Sequence, residues 1–100
     1  MYRMLVLYPE PTDRRAFEEH YRAVHVPLAM KLPGLRAARF SLDVVAPAGA
    51  GYFALFEADF DSAEALQAAL ASPEGVAVNR DVPNYATGGV QILMFEAEEP

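Results

Sequence analysis

The sequence predicts an α+β domain of order β-α-β-β-α-β, spanning residues 1–100. Two segments place apolar residues at helical spacing, four carry the aromatic and β-branched residues of strands, and Pro, Gly or capping residues punctuate the boundaries. With 53% hydrophobic and 22% charged residues in 100, the chain has apolar surface for one core and no room for a second.

Tyr2 to Tyr8 reads as a first strand, which Pro9 and Pro11 close by removing amide donors. Thr12 is placed to cap the next segment, with Asp13 complementing the positive end of the helix dipole. Phe17, Tyr21, Val24 and Leu28 then recur at offsets of four, three and four, the core-facing stripe of a helix. Pro27 lacks an amide and disfavours helical geometry at Val26, so the regular helix is expected to end or kink near His25. An irregular turn or short helix follows to Leu32, and Pro33-Gly34 stops it.

Leu35 to Val45 reads as the second strand, with Ala38, Phe40 and Leu42 on one face and Arg39, Ser41 and Asp43 on the other. An alanine-rich stretch containing Pro47, Gly49, Ala50 and Gly51 is a hairpin connection to a third strand, Tyr52 to Phe60. Asp61 and Glu64 fit a capping box ahead of a second helix, which runs to about Ala71 with Leu66 and Leu70 on its apolar side. Ser72-Pro73 and Gly75 break that helix, Val76 to Tyr85 reads as a further short turn, and Val90 to Ala97 is the fourth strand.

This order is the split βαβ, or ferredoxin-like, plan: a four-stranded antiparallel sheet with both helices on one face. The strands, however, are apolar on both sides. Tyr2, Met4, Val6 and Tyr8 oppose Leu5 and Leu7; Phe53 and Leu55 oppose Ala54 and Phe56; Leu93 and Phe95 oppose Val90, Ile92 and Met94. Two helices shield one face only, so a second copy is expected to cover the other, making the protein a homodimer.

A net charge of -6 with eight scattered basic residues argues against nucleic acid or an anionic membrane as partner. No apolar run approaches the roughly 18 residues of a membrane span, and the N-terminus lacks the pattern of a secretory leader. The absence of cysteine fits a cytoplasmic location and rules out disulfides and thiolate nucleophiles. No Gly-rich phosphate loop or metal-binding pattern points to a cofactor. The two histidines, His20 and His25, are five apart, which on a regular helix is a rotation of about 140° that points the rings away from each other and disfavours a shared metal.

His25 is the candidate acid or base, because Pro27 is expected to disrupt the helix beside it and leave free carbonyls nearby. The alternative is a helix-terminal histidine bonded to a backbone carbonyl. His20 flanks the apolar stripe, and Tyr21 has the spacing to pack above the sheet with Phe17 while offering its hydroxyl to a ligand. Asp81, Asn84 and Tyr85 form a polar cluster that could orient a substrate, although Asp and Asn beside Pro83 also suit turn chemistry. Glu18, Glu19 and Arg22 read as a solvated helix face.

The stretch from Phe17 through His25, Pro27 and Leu28 to Lys31-Leu32-Pro33-Gly34-Leu35 resembles the EthD family, named for ethyl tert-butyl ether degradation. The resemblance extends to Ser72-Pro73-Glu74-Gly75 and to Asp81-Val82-Pro83-Asn84-Tyr85; position 20 departs from it, holding His where an aromatic is common. It implies a dimeric α/β barrel, with two ferredoxin-like sheets facing each other. It also implies a small oxidoreductase, of reductase or cofactor-independent oxygenase type, acting on a small apolar organic compound in a degradative or secondary-metabolic pathway. In that reading His25 moves a proton, His20, Tyr21 and Asp81 contact the substrate, and Pro27, Pro33 and Gly34 shape the turn presenting His25. The alternative is a noncatalytic accessory module that binds a hydrophobic intermediate for a partner oxygenase. Relatives in the wider superfamily include haem enzymes, but His20 and His25 do not form a haem-ligating pattern.

Overall fold

The computed structural model describes residues 1–49 and 51–100; Ala50, in the expected hairpin connection, lies outside them. Four strands form one antiparallel sheet: β1 (Tyr2–Pro9), β2 (Ala37–Ser41), β3 (Tyr52–Phe60) and β4 (Gln91–Glu96), in the spatial order β2-β3-β1-β4. With the helices this is the ferredoxin-like α+β fold that the element order predicts.

Alternation along β1 sends Met4, Val6 and Tyr8 into the core, where Ala54, Phe56, Ala58 and Phe60 of β3 join them. The helices supply Phe17, Tyr21 and Leu66, each at most 1% exposed. Fully burying a side chain of this size contributes about 1.5–3 kcal/mol, so each of the three is a substantial part of the hydrophobic term. Phe53 departs from strict alternation. The β1–β3 register shifts between Tyr8 and Pro9, and the resulting bulge turns Phe53 towards the helices, where its ring meets Phe17 edge-on at 5.1 Å. The expected pairing of Phe53 with Leu55 on one face is thereby corrected. The second strand is also shorter than Leu35 to Val45, because paired register with β3 holds only from Ala37 to Ser41.

Helix α1 (Arg14–His20) is capped by Asp13, whose carboxylate accepts from the Ala16 amide at 3.1 Å, whereas the Thr12 hydroxyl bonds that of Thr87. Ser62, not Asp61, caps α3 (Ala63–Ala71); Asp61 faces Arg36 instead. Arg22, expected on a solvated face, covers the Phe40 ring.

The stretch from Val76 to Tyr85 is not a short turn. Ser72 ends α3 and caps a second nine-residue helix, α4 (Pro73–Asp81), with Pro73 in the first turn, where its missing amide costs nothing, and a 3-10 turn follows (Val82–Asn84). Gly75 is needed at the junction because a Cβ there would overlap the carbonyl oxygens of Ala69 and Leu70. Gly75→Ala is therefore expected to destabilise the fold by about 1–3 kcal/mol through overpacking, read as a lower urea midpoint. An unchanged midpoint would show that α3 and α4 part freely.

The open face of the sheet carries Leu5, Leu7, Leu55, Leu93 and Phe95, with Arg3 bound to Asp59 through two hydrogen bonds towards one end. Strand β4 is covered on neither side: Ile92 is 48% exposed on the helix face and Leu93 46% on the open one. Among the described residues no helix is long and apolar enough to cross a membrane.

Candidate functional site

The site begins with Pro27. In an unbroken α-helix its ring would clash with the Ala23 carbonyl, and it has no amide to offer. The chain does not end the helix there. It widens into a π turn (Tyr21–His25), in which the Val26 amide reaches back five residues to the Tyr21 carbonyl, and then resumes as a short helix α2 (Val26–Ala29). Bonding across five residues places positions 20 and 25 on the same side, so the divergence expected for a regular helix is overturned. His20 and His25 both reach one carboxylate.

That carboxylate is Asp81, at the last position of α4 and buried. His25 Nδ1 lies 2.9 Å from its Oδ2, His20 Nε2 lies 2.8 Å from Oδ1, and the Asn84 amide donates to Oδ1 at 3.0 Å. A helix C-terminus disfavours an anion. Burial also works to raise the Asp81 pKa, but the bonds from Asn84, His20 and His25 outweigh it and hold the carboxyl below its usual 3.8. For His25 the balance goes the other way: burial, reinforced by His20, pulls the imidazole below its ordinary 6.5 despite the opposing influence of Asp81. At neutral pH the pair is thus a carboxylate and a neutral imidazole. The Nδ1 proton points at Asp81, and the lone pair sits on Nε2.

The partner of His25 is thus a carboxylate and not the backbone carbonyl of a helix-terminal histidine. Asp81, Asn84 and Tyr85 do cluster, around the 3-10 turn that the residues beside Pro83 suit, and from there they underlie the two histidines. The His25 ring packs on Tyr85 at 4.5 Å and stacks on Tyr21 at 5.4 Å, while His20, partly exposed, stacks on Tyr85 at 5.8 Å.

His25 lines a cleft of about 80 Å³ between the helices and the sheet. Its walls are mostly apolar, with Met4, Val6, Phe56 and Ile92 from the sheet and Leu70 and Val78 from the helices. Past Met4 and Ile92 it continues into a hollow of about 290 Å³ that reaches Met94 on β4. His20, Tyr21 and Asp81 do not line the cleft; they stand behind His25. Among the described residues no group of three or more His, Cys, Asp or Glu is arranged to hold a metal ion.

Tyr8, which strand patterning marks only as a core residue, has its hydroxyl 2.9 Å from that of Tyr85, and its side chain lines the same cleft as His25. The Tyr21 hydroxyl is close enough to Tyr8 for the two to perturb each other, yet among the described residues it is the buried side-chain polar atom left without a hydrogen bond. Burial pushes the Tyr8, Tyr21 and Tyr85 phenols upward, so all three stay protonated. The signal available in the sequence was tyrosine at core-facing positions where phenylalanine would pack as well.

The model of the EthD domain matches residues 9–89. An uncharacterised 11.0 kDa protein of Rhodococcus erythropolis, from the thcB-thcC intergenic region, is 39% identical over 98% of this chain and 96% of its own length. The crystal structure of an ethyl tert-butyl ether degradation (EthD) family protein from Bacillus halodurans is 33% identical and superposes with a TM-score of 0.90, covering 98% of this chain and 99% of that one. A dimeric ferredoxin-like protein of unknown function from Thermobifida fusca shares the fold at 20% identity, with a TM-score of 0.75 over 96% of this chain and 90% of that one.

Proposed function

Because the chain belongs to the EthD domain family, we propose that it is a small homodimeric enzyme that removes a proton from an apolar organic compound, with His25 as general base. The observation that carries this reading is the His25 ring, held by Asp81 through Nδ1 and lining an apolar cleft. A base held in one tautomer, with its pKa drawn below 6.5 by burial, is ready to accept a proton at neutral pH without first losing one. His20 and Asp81 act as positioning residues, and Tyr21 supports the ring by stacking on it.

The reaction class that suits such a site is an oxidoreductase of the cofactor-independent oxygenase type, in which deprotonation prepares an electron-rich organic anion. The dimeric form is supported by the apolar, half-covered sheet face and by the T. fusca relative, and the lack of cysteine supports a cytoplasmic setting.

The test is the pH profile of turnover on whichever compound mass spectrometry finds co-purifying with the native protein. The active form of His25 is the neutral one, so kcat/KM should level off at neutral pH and fall on acidification through a pKa below 6.5. A profile without that acid limb would refute the assignment. Turnover that required a second protein would favour an accessory module instead.

A further inference from the structure

The base needs a counterpart. When a proton leaves a phenol or the carbon beside a carbonyl, the electron pair of the broken bond ends on oxygen, and a donor in the same cleft must meet that charge. Three phenols, Tyr8, Tyr21 and Tyr85, pack against one another, with the Tyr21 and Tyr85 rings against His25 and Tyr8 lining the same cleft as His25, and each brings one proton. The Tyr8–Tyr85 hydrogen bond uses one of them. When Tyr85 donates to Tyr8, the Tyr8 hydrogen is free to turn to another acceptor, and Tyr8 is the member of the trio that lines the cleft. The Tyr21 hydroxyl, wholly buried and without a hydrogen bond, stands behind Tyr8 as a second donor. Among the lining side chains only Asn79 is polar besides His25 and Tyr8, so few groups in the cleft can recognise a polar atom of a ligand.

We propose that the Tyr8 hydroxyl, backed by Tyr85, binds the oxygen of the substrate, and that the substrate class is an apolar molecule carrying one phenolic or enolisable carbonyl oxygen. This deepens the reading of His25 as base and rests on it. In the step itself, His25 Nε2 takes the proton from the O–H of a phenol or from the C–H beside a carbonyl. The electron pair of that bond moves onto the oxygen, which accepts a hydrogen bond from Tyr8. No oxidant or reductant enters at this stage.

The probes are 4-nitrophenol and 4-nitrotoluene, of nearly equal size, titrated into the full-length protein at a pH about one unit below the ionisation of free 4-nitrophenol, so that phenolate absorbance reports the bound phenol. The wild type should bind 4-nitrophenol at least about tenfold more tightly than 4-nitrotoluene and show the absorbance of the phenolate. Tyr8→Phe should abolish the preference for 4-nitrophenol while binding 4-nitrotoluene unchanged, which also certifies an intact cleft, and Tyr85→Phe should reduce the preference. His25→Gln should lose the phenolate absorbance yet keep a preference for the phenol. A preference that survives Tyr8→Phe, a wild type without one, or failure of either probe to bind would overturn the role of Tyr8. Phenolate absorbance that persists in His25→Gln would overturn the base assignment alone, so the two failures are distinguishable.

Discussion

His25→Ala is expected to lower kcat/KM by about 10²–10⁴-fold, the range that a positioned acid–base group contributes. The loss should fall on kcat more than on KM, because the apolar walls formed by Met4, Val6 and Phe56 remain while the proton acceptor is gone. The substitution also takes a ring from the stack with Tyr21 and Tyr85 and one donor from Asp81, so some stability should go with it. His25→Gln separates the two effects: its amide restores side-chain bulk and a donor, yet it cannot take a proton at neutral pH. The measurement is steady-state turnover beside a melting curve for each variant. If both variants fold and either retains more than about half of the wild-type rate, His25 is not the base.

The fold was legible because its signals are local and agree with one another. Tyr52 to Phe60 could be bounded to the residue, since a loop rich in Gly and Pro precedes it and a capping residue follows. Cap identities slipped by one residue at both Thr12/Asp13 and Asp61/Ser62, where two competent caps are adjacent and the tertiary bonds of Thr12 to Thr87 and of Asp61 to Arg36 choose between them. Helix α4 escaped notice because Ser72-Pro73 and Gly75 read as breakers, although Ser then Pro also opens a helix. The site was half legible. Pro27 marked the right place, but whether it ends a helix or widens it depends on what the next turn packs against, and that is not written locally. The relation of His20 to His25 followed from the π turn, and their meeting with Asp81 from a contact 56 residues away in the case of His25. No periodicity encodes such a contact.

The same logic orders the roles at the site. Asp81 sits where the helix dipole opposes an anion and keeps its charge only because three donors converge on it. It therefore ties the π turn to the end of α4. The cost of placing a carboxylate there is spent on fixing the tautomer of one imidazole. His20, on the partly exposed side, closes the carboxylate off from solvent and leaves His25 as the histidine that lines the cleft.

Leu93→Glu is expected to weaken the proposed homodimer by about 10²–10³-fold, which corresponds to roughly 3–4 kcal/mol. Leu93 pairs with Leu5 in the centre of the open face and is 46% exposed in the single chain, so a charge there is tolerated by the fold and penalised only when a second copy covers it. Two-fold symmetry brings the substitution into the interface twice, and the chain already carries a net charge of -6, so repulsion adds to desolvation. Sedimentation at micromolar concentration should show the wild type at twice the chain mass and the variant largely at the chain mass, both folded by circular dichroism. A wild type that sediments as single chains would remove the dimer, and a variant that dimerises as well as the wild type would move the interface elsewhere. Because Ile92 and Met94 of the same strand wall the cleft from the other side, loss of the partner should also loosen that wall, and ligand affinity should fall together with the dimer.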